Sequence, residues 1–459
     1  MADHLTPTDA SMLAIEDADH GMHLQIIYVF EGEPPTFEEF AETVEKRLLG
    51  APRFRQRVKK VPYGLGRPVW VDDERFDLGY HLRRTALPAP GSEDELRTLS
   101  NRLLQQPLDL RRAPWEMWMV EGLEHDRFAI IHRVHHCMVD GVATQDISGM
   151  MFSRTPHEER AAVDEWQPAG QPGGIELVAS GIADFAAKGG QAVSGILRAA
   201  RSPRSTLGNV AQDLKTLGRL SGVTSSAPST MLNRQGGPRR RTDWVRVSLD
   251  DLKATKKAHG TTINNVVLAA STGALRRYFV RQGEPLPLGM RAMVPVSVRL
   301  DDERGVLSNR VSAIFPVLPL DEEDPGRRVS LIAAEVERLR GTEGVAMQRI
   351  MDMGGFAPPT IMGQIQRLLL LNEGAHNLVI SNVPGPAEQL YLRGRPLREV
   401  LPSGTTTPRH NLNMPMVSYN GTFFIAISTD PDTVPDGAGF AKDLEDSYAE
   451  LLDLAREAA

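Results

Sequence analysis

The feature that most constrains the fold of this chain is a long central stretch of unusual composition. Between Arg154 and Arg241 the sequence is rich in Gly, Ala, Ser, Pro and Arg and has few aromatic residues, which is typical of a segment that connects domains. The chain has 459 residues, whereas one hydrophobic core rarely serves more than about 250–300 residues. We therefore predict a first domain of residues 1–155, a crossover of residues 156–241 and a second domain of residues 242–459.

Both outer stretches alternate strand-like and helix-like segments. Short apolar runs predict strands, and apolar residues spaced three or four apart predict helices. Thr36 and Glu39 form a capping pair at the start of the first such helix. The predicted strands are 23–30, 128–134, 291–299, 377–382 and 422–428, and the predicted helices are 36–49, 142–152, 249–257, 261–278 and 438–457. The fold class that follows is mixed α/β (α+β).

The overall composition argues against several classes of protein. Net charge is −7, so nucleic acid is not expected as a partner. The start of the chain lacks the basic and apolar regions of a secretory signal, and no apolar run approaches the ~20 residues that span a bilayer. Cys137 is the single cysteine, so no internal disulfide is expected. These features predict a cytoplasmic protein that meets any lipid from the surface.

The crossover contains apolar residues at a spacing that would form one face of a broken helix, with basic residues near its end. The apolar residues are Ile175, Val178, Ile182, Phe185, Val193, Ile196 and Leu197. Two interpretations stay open. This face packs against the protein's own domains, or it attaches the protein peripherally to the inner face of a membrane or to a lipid droplet.

The segment from His132 to Gly141 carries the most chemical information. It lies in a predicted strand-to-helix turn. A general base must be neutral at working pH, and an imidazole with an ordinary pKa of about 6.5 meets that need. We choose His136 for this role. Asp140 is too near along the turn to be assumed a relay partner, so we expect it to hold the turn, while Gly141 permits tight backbone geometry.

Three alternatives apply to the same segment. His132, His135 and His136 are candidate metal ligands, although the helical spacing of a zinc protease motif is absent. Cys137 is a candidate nucleophile, although a lone cysteine is more often a small buried hydrophobe. Finally, the adjacent histidines at the strand end could be ordinary polar residues without a catalytic role.

The pattern His135-His136-x-x-x-Asp140-Gly141 resembles the signature of the coenzyme A-dependent acyltransferase superfamily, which includes chloramphenicol acetyltransferase, carnitine acyltransferases and peptide-synthetase condensation domains. Further segments resemble one branch, the bacterial wax ester synthase/diacylglycerol acyltransferase family. These segments are 5–9, 22–23, 107–116, 263–269, 294–299, 308–310, 381–386 and 412–421. The similarity runs from residue 5 to about residue 445.

The resemblance implies two related chloramphenicol-acetyltransferase-like domains with an active-site tunnel between them. It supports His136 as the base, places His135, Asp140 and Gly141 beside it, and makes Asp140 structural. The candidates for lining the tunnel from the second domain are Asn264, Ser297 and Asn382, for which capping and loop hydrogen bonds are the alternative. The sequence departs from the family pattern at Asn265, where aspartate is usual, and at Ser308, where glycine is usual.

The resemblance also implies the substrates. Long-chain acyl-coenzyme A is the expected donor, as a substrate and not a cofactor, and neither a cofactor nor a metal is expected. Diacylglycerol is the first choice of acceptor and a long-chain fatty alcohol the second. Arg239, Arg240 and Arg241 are candidate anchors for coenzyme A, with a solvated run of linker charge as the alternative. A non-catalytic lipid-binding or lipid-droplet surface protein is the competing hypothesis from another class.

Overall fold

The computed structural model of the protein describes residues 3–17, 19–47, 50–64, 66–138, 148–156, 166–181, 183, 227–297, 311–340 and 374–457. The strands are β1 (Asp3–His4), β2 (His23–Glu31), β3 (Gln56–Lys59), β4 (Val69–Asp72), β5 (Leu82–Ala86), β6 (Trp115–Leu123), β7 (Arg127–His135), β8 (Arg241–Ser248), β9 (Ala292–Ser297), β10 (Val311–Ile314), β11 (Leu378–Val383), β12 (Tyr391–Leu392), β13 (Arg395–Ser403), β14 (Leu412–Tyr419) and β15 (Thr422–Thr429). The helices are α1 (Pro7–Ile15), α2 (Phe37–Arg47), α3 (Leu78–His81), α4 (Glu93–Leu104), α5 (Leu249–Ala258), α6 (Ile263–Arg281), α7 (Pro325–Arg340) and α8 (Gly437–Glu457).

The first six-stranded sheet has the order β12-β13-β2-β7-β6-β5. Its central strands β2 and β7 are antiparallel, with His23 opposite His135. Both strands are apolar along most of their length because the sheet is covered on both faces. Phe30 and Phe128 stack in this core with ring centroids 5.2 Å apart. The end of β7, which carries the histidine motif, is therefore held by a rigid sheet.

Two strands of the first sheet come from the second half of the chain. β13 pairs with β2, and Ser403 lies opposite Gln25. Trp244 of β8 also enters the first core, where its indole Nε1 donates to the carbonyl of Pro402 at 2.8 Å. The prediction of separate domains on either side of residue 242 did not foresee that strands from the second half would join the first sheet.

The second six-stranded sheet has the order β10-β9-β11-β14-β15-β8. β11 and β14 run parallel, and Val379 lies opposite Asn413. The helix α6 is buried around most of its circumference, as expected for a helix that is apolar on nearly every side. It contacts both α7 and α8, and its first turn is capped by Thr262, whose hydroxyl accepts from Asn265 N.

A smaller three-stranded sheet, β1-β4-β3, lies beside the first half. The described part of the crossover includes a helical segment at 174–181, and Leu177 of this segment packs against Val61, Val69 and Val71. The neighbouring Ile175 is 89% exposed. The two faces of this short segment therefore differ, and the rest of the predicted amphipathic stretch, from Ile182 onward, lies outside the described residues.

The strands and helices predicted from the sequence are confirmed wherever the structure describes them, with ends that differ by a few residues. The capping pair is also confirmed, since Glu39 N donates to Thr36 Oγ1 at 3.2 Å and Thr36 N donates to Glu39 Oε2 at 2.9 Å. Of the predicted helix 142–152, residues 142–147 lie outside the described part. Within the described residues, none of the helices combines the length and apolar character needed to cross a bilayer.

Candidate functional site

His136 opens a short 3₁₀ turn, His136–Met138, directly after the buried strand β7. Its backbone N–H donates to the carbonyl of Met22 at 2.8 Å, which continues the pairing of β2 with β7 by one residue. The side chain is half-buried and lines a cavity. The fold therefore places this imidazole at the end of a rigid strand, where it faces an internal space.

The cavity has a volume of about 250 Å³, and both halves of the chain supply its walls. Met12 and Leu24 line it from the first half, and Met293 and Met416 line it from the second. Its walls are mostly apolar, which suits hydrocarbon chains, with a few polar side chains among them. His136 is thus an imidazole at the wall of an apolar cavity.

Beside it, His135 is fully buried and its ring is held by two contacts. Nδ1 accepts a hydrogen bond from Cys137 N at 3.1 Å, so the proton of the neutral ring is on Nε2. Nε2 lies 3.4 Å from Glu16 Oε2 without hydrogen-bond geometry, so this interaction is an electrostatic contact. Glu16 Oε1 also accepts from Met22 N at 3.2 Å. Glu16 therefore links the His135 ring to the residue that holds the backbone of His136.

Cys137 packs against Leu5, Val58 and Trp70 and is 2% exposed. Burial raises the pKa of its thiol well above the ordinary value. A thiol that resists ionisation is a poor nucleophile, so these contacts favour the interpretation of Cys137 as a small buried hydrophobe.

His132 is not among the described residues that line this cavity, and its buried ring lies edge-on to Trp115 of the first core. Both ring nitrogens are buried without a hydrogen-bond partner among the described residues, and burial lowers the pKa to about 3. In the part of the chain that the structure describes, no group of three or more His, Cys, Asp or Glu side chains is arranged to hold a metal ion.

The remaining predicted site residues are placed as follows. Asp140 and Gly141 lie outside the described residues. Ser297 is the last residue of β9, where its backbone pairs with Val311. Asn382 Nδ2 donates to Asn264 Oδ1 at 2.7 Å, so the structure brings these two predicted residues together. Neither is among the described residues that line the cavity, and their role in lining the reaction centre stays a prediction.

Residues 5–267 match the family model of the wax ester synthase/diacylglycerol acyltransferase catalytic domain, and residues 307–452 match that of the WS/DGAT C-terminal domain. The chain belongs to the wax ester synthase/diacylglycerol acyltransferase family. It is 32% identical to tgs1, a probable diacylglycerol O-acyltransferase of Mycobacterium tuberculosis, over 99% of this chain and 96% of the relative. It is 29% identical to tgs2 of the same organism, a probable diacylglycerol O-acyltransferase, over 98% of each chain.

Solved structures agree with this family membership. A wax ester synthase/diacylglycerol acyltransferase from Marinobacter aquaeolei VT8 superimposes with a TM-score of 0.68 at 27% identity, covering 99% of this chain and 100% of that chain. The first condensation domain of the CDA synthetase shares the fold, with a TM-score of 0.60 at 15% identity, over 100% of this chain and 97% of that domain. The predicted family, fold class and acyltransferase activity are confirmed.

The departure from the family pattern at Asn265 is accommodated by the first turn of α6. Asn265 Nδ2 donates to Thr261 Oγ1 at 2.9 Å, a hydrogen bond that an aspartate cannot donate. Asn265 Oδ1 is buried without a partner among the described residues. The second departure, at Ser308, lies outside the described residues.

The three arginines at the end of the crossover all interact with other residues of the chain. Arg239 pairs with Asp432 at 2.7 Å and Arg241 with Asp243 at 2.8 Å. Arg240 Nη2 donates to the carbonyl of Asp19 at 3.0 Å. Arg240 also borders a small pocket that shares two lining residues with the central cavity, so this basic group lies near the cavity's edge.

Sequence reasoning missed several polar residues of this family member's cavity wall. On β11, the residues that line the cavity are Val379, Ser381 and Val383. Because strand residues alternate between faces, this register assigns Ser381 to the cavity and Asn382 to the opposite face. This alternation can be read from the sequence, so the assignment of Ser381 could have been predicted. His376 and His410 also line the cavity, but no sequence pattern indicates this, because both lie in loops before their strands.

Proposed function

We propose that this chain transfers a long-chain acyl group from acyl-coenzyme A to the free hydroxyl of diacylglycerol, forming triacylglycerol, with His136 as the general base. The observation that carries this proposal is the position of His136 at the wall of an apolar cavity built by both halves of the chain. Membership of the wax ester synthase/diacylglycerol acyltransferase family supports the reaction class.

The proposed reaction has one direct transfer step. The neutral imidazole of His136 takes the proton of the acceptor hydroxyl as the oxygen attacks the thioester carbonyl carbon. A tetrahedral oxyanion forms and collapses, which breaks the carbon–sulfur bond and expels the coenzyme A thiolate. The imidazolium then returns its proton to the sulfur. An ester and free coenzyme A result, and the protein ends in its starting state.

The structural role proposed for His135 follows from its contacts. A buried ring that accepts from Cys137 N and faces Glu16 cannot reach substrate as freely as the neighbouring ring. His135 therefore fixes the turn, and His136 alone moves protons.

The donor's phosphates are proposed to bind near the basic end of the crossover. Arg239 is an exposed guanidinium, and Arg240 lies beside the edge of the cavity. Guanidinium groups suit phosphate oxygens, and a thioester that enters at this edge would lead its acyl chain into the apolar interior.

Peripheral attachment to a lipid surface is proposed through exposed apolar side chains of the first half and of the start of the crossover. Ile175 is 89% exposed and Tyr63 is 93% exposed. The two lie on adjoining segments, because Gly174 approaches the ring of Pro62. Isolated apolar side chains are common on protein surfaces, so this part of the proposal depends on a partitioning measurement.

The function is tested by measuring release of the coenzyme A thiol from oleoyl-coenzyme A, alone and with dioleoylglycerol, oleyl alcohol or both. Release that needs dioleoylglycerol and yields trioleoylglycerol supports the proposal. Turnover with oleyl alcohol alone would instead support the wax ester synthase alternative. Lipid binding without thiol release in any mixture would identify a non-catalytic lipid-binding protein and refute the proposed reaction.

A further inference from the structure

A second pair of histidines lines the same cavity from the opposite half of the chain. His376 and His410 stack with ring centroids 3.9 Å apart and an interplanar angle of 12°. Each lies three residues before the registered pair of Val379 and Asn413, so the two adjacent parallel strands β11 and β14 hold the rings side by side. The second sheet therefore fixes the positions of both rings.

The hydrogen bonding of this pair is incomplete. His410 Nδ1 lies 3.1 Å from Thr407 Oγ1. With the threonine hydroxyl donating to Nδ1, the His410 ring carries its proton on Nε2. His410 Nε2 and His376 Nδ1 are both buried, and neither meets hydrogen-bond geometry with a partner in the described part of the chain, although the His410 ring lies close to the His376 backbone.

The hydroxyl of Ser403 has the same property. Ser403 lines the cavity, is 3% exposed, and its Oγ is buried without a partner among the described residues. We define His376, His410 and Ser403 as the His376 cluster. Buried polar atoms are rarely left unpaired, because losing their hydrogen bonds to water is unfavourable. Three such atoms on the wall of one apolar cavity indicate a polar ligand group.

Burial fixes the kind of group that fits. It lowers the pKa of His410 to about 4 and that of His376 well below the ordinary value, so both rings are neutral near pH 7. Neutral imidazoles and a hydroxyl donate hydrogen bonds without adding charge. Their natural partners in an apolar cavity are uncharged carbonyl oxygens.

We propose that the His376 cluster binds the ester carbonyl groups of a glyceride acceptor and so selects diacylglycerol over a fatty alcohol. The inference rests on the proposed acyl transfer in this cavity. A diacylglycerol carries two ester carbonyls besides its hydroxyl, whereas a fatty alcohol carries none. A site with unpaired buried donors favours the ligand that pairs them and disfavours the ligand that leaves them unpaired.

The test uses three acceptors with the same oleyl chains: dioleoylglycerol, the dioleyl diether of glycerol, and oleyl alcohol. The diether keeps the hydroxyl and both chains but lacks the carbonyl oxygens. The variants are His376→Phe and Ser403→Ala in the full chain. Ser271→Ala is the matched control, because Ser271 Oγ is equally buried and unpartnered but belongs to α6 and not to the described cavity wall.

In each cluster variant we expect kcat/KM for dioleoylglycerol to fall by roughly 2- to 10-fold, mainly through KM, because one hydrogen bond is lost. The diether and oleyl alcohol should be unaffected, and Ser271→Ala should match the wild type with all three acceptors. If His376→Phe does not fold, Ser403→Ala decides the outcome.

Two results would overturn the proposal. Equal losses with all three acceptors would mean that the cluster contacts the common donor, and unchanged values with all three would mean that it holds only water. If the wild type releases no coenzyme A with any acceptor, the proposed function fails separately. Equilibrium binding of radiolabelled diester and diether to the same variants then tests the subsite by the same comparison.

Discussion

Glu16→Ala tests whether the Glu16 carboxylate, directly after α1, holds the 3₁₀ turn His136–Met138 in place. Glu16 accepts from Met22 N at 3.2 Å, and its side chain is only 15% exposed, so solvent screens the interaction weakly. A hydrogen bond to a charged group contributes about 1.5–3 kcal/mol. We expect Glu16→Ala to lower the free energy of unfolding by about 2 kcal/mol, which corresponds to a fall in Tm of roughly 4–8 °C for a domain of this size.

The same change should also lower activity. Met22 accepts the backbone N–H of His136, so loosening Met22 displaces the proposed base, and a small misplacement lowers rates by roughly 10- to 100-fold. The matched control is Glu16→Gln, whose amide oxygen can still accept from Met22 N. It should keep about half of the stability, because a hydrogen bond to a neutral acceptor contributes only about 1 kcal/mol, while losing the charge that faces His135.

The measurements are thermal unfolding and thiol release with oleoyl-coenzyme A and dioleoylglycerol. A Glu16→Ala protein with normal Tm and normal kcat would refute the reasoning. So would a Glu16→Gln protein that is as unstable as the alanine variant, since the hydrogen bond would then not be the source of the stability.

Three further predictions concern the motif and the surface. His136→Ala should lower kcat by roughly 10²–10⁴-fold at unchanged Tm. Cys137→Ala should stay active, and the mass of the wild-type protein should not increase by an acyl group on incubation with acyl-coenzyme A alone. An inactive Cys137→Ala enzyme would contradict direct transfer. Burial lowers the pKa of His132 from 6.5 to about 3, so between these pH values the unfolded chain binds a proton that the folded chain does not. The free energy of unfolding should therefore fall by up to about 1.4 kcal/mol per pH unit as the pH is lowered through this range. Urea unfolding at pH 7 and 5.5 should show a smaller fall in this free energy for His132→Phe than for the wild type. Replacing Tyr63 and Ile175 with aspartate should shift protein from anionic vesicles to the supernatant in a sedimentation assay while leaving Tm unchanged, and unchanged partitioning would rule out this surface as the attachment site.

Local features of the fold were accessible from the sequence because their causes are local. The apolar runs of β2 and β7 predicted buried strands, and the capping pair Thr36 and Glu39 predicted the start of α2. His136 was chosen as the candidate base for the same reason, since its motif is contiguous. Its position on the cavity wall agrees with the proposed role, which stays a prediction.

The rest of the site depends on long-range pairing that leaves no local signal. No strand is predicted from the sequence at the position of β13, and nothing near that segment indicates a pairing with β2. The stacked pair of His376 and His410 arises only because β11 and β14 are parallel neighbours. The link from Glu16 to His135 likewise joins residues far apart in sequence.

The late arrival of β13 affects how the protein is made. Ser403 of β13 is 372 residues beyond Glu31 of β2. At a synthesis rate of about 5–20 residues per second, the ribosome takes roughly 20–75 s to supply the strand that covers the free side of β2. During that interval the nascent first half presents an open edge whose residues include Ile27, Val29 and Phe30. The first sheet therefore reaches its full set of strands only after the C-terminal portion of the chain has been made.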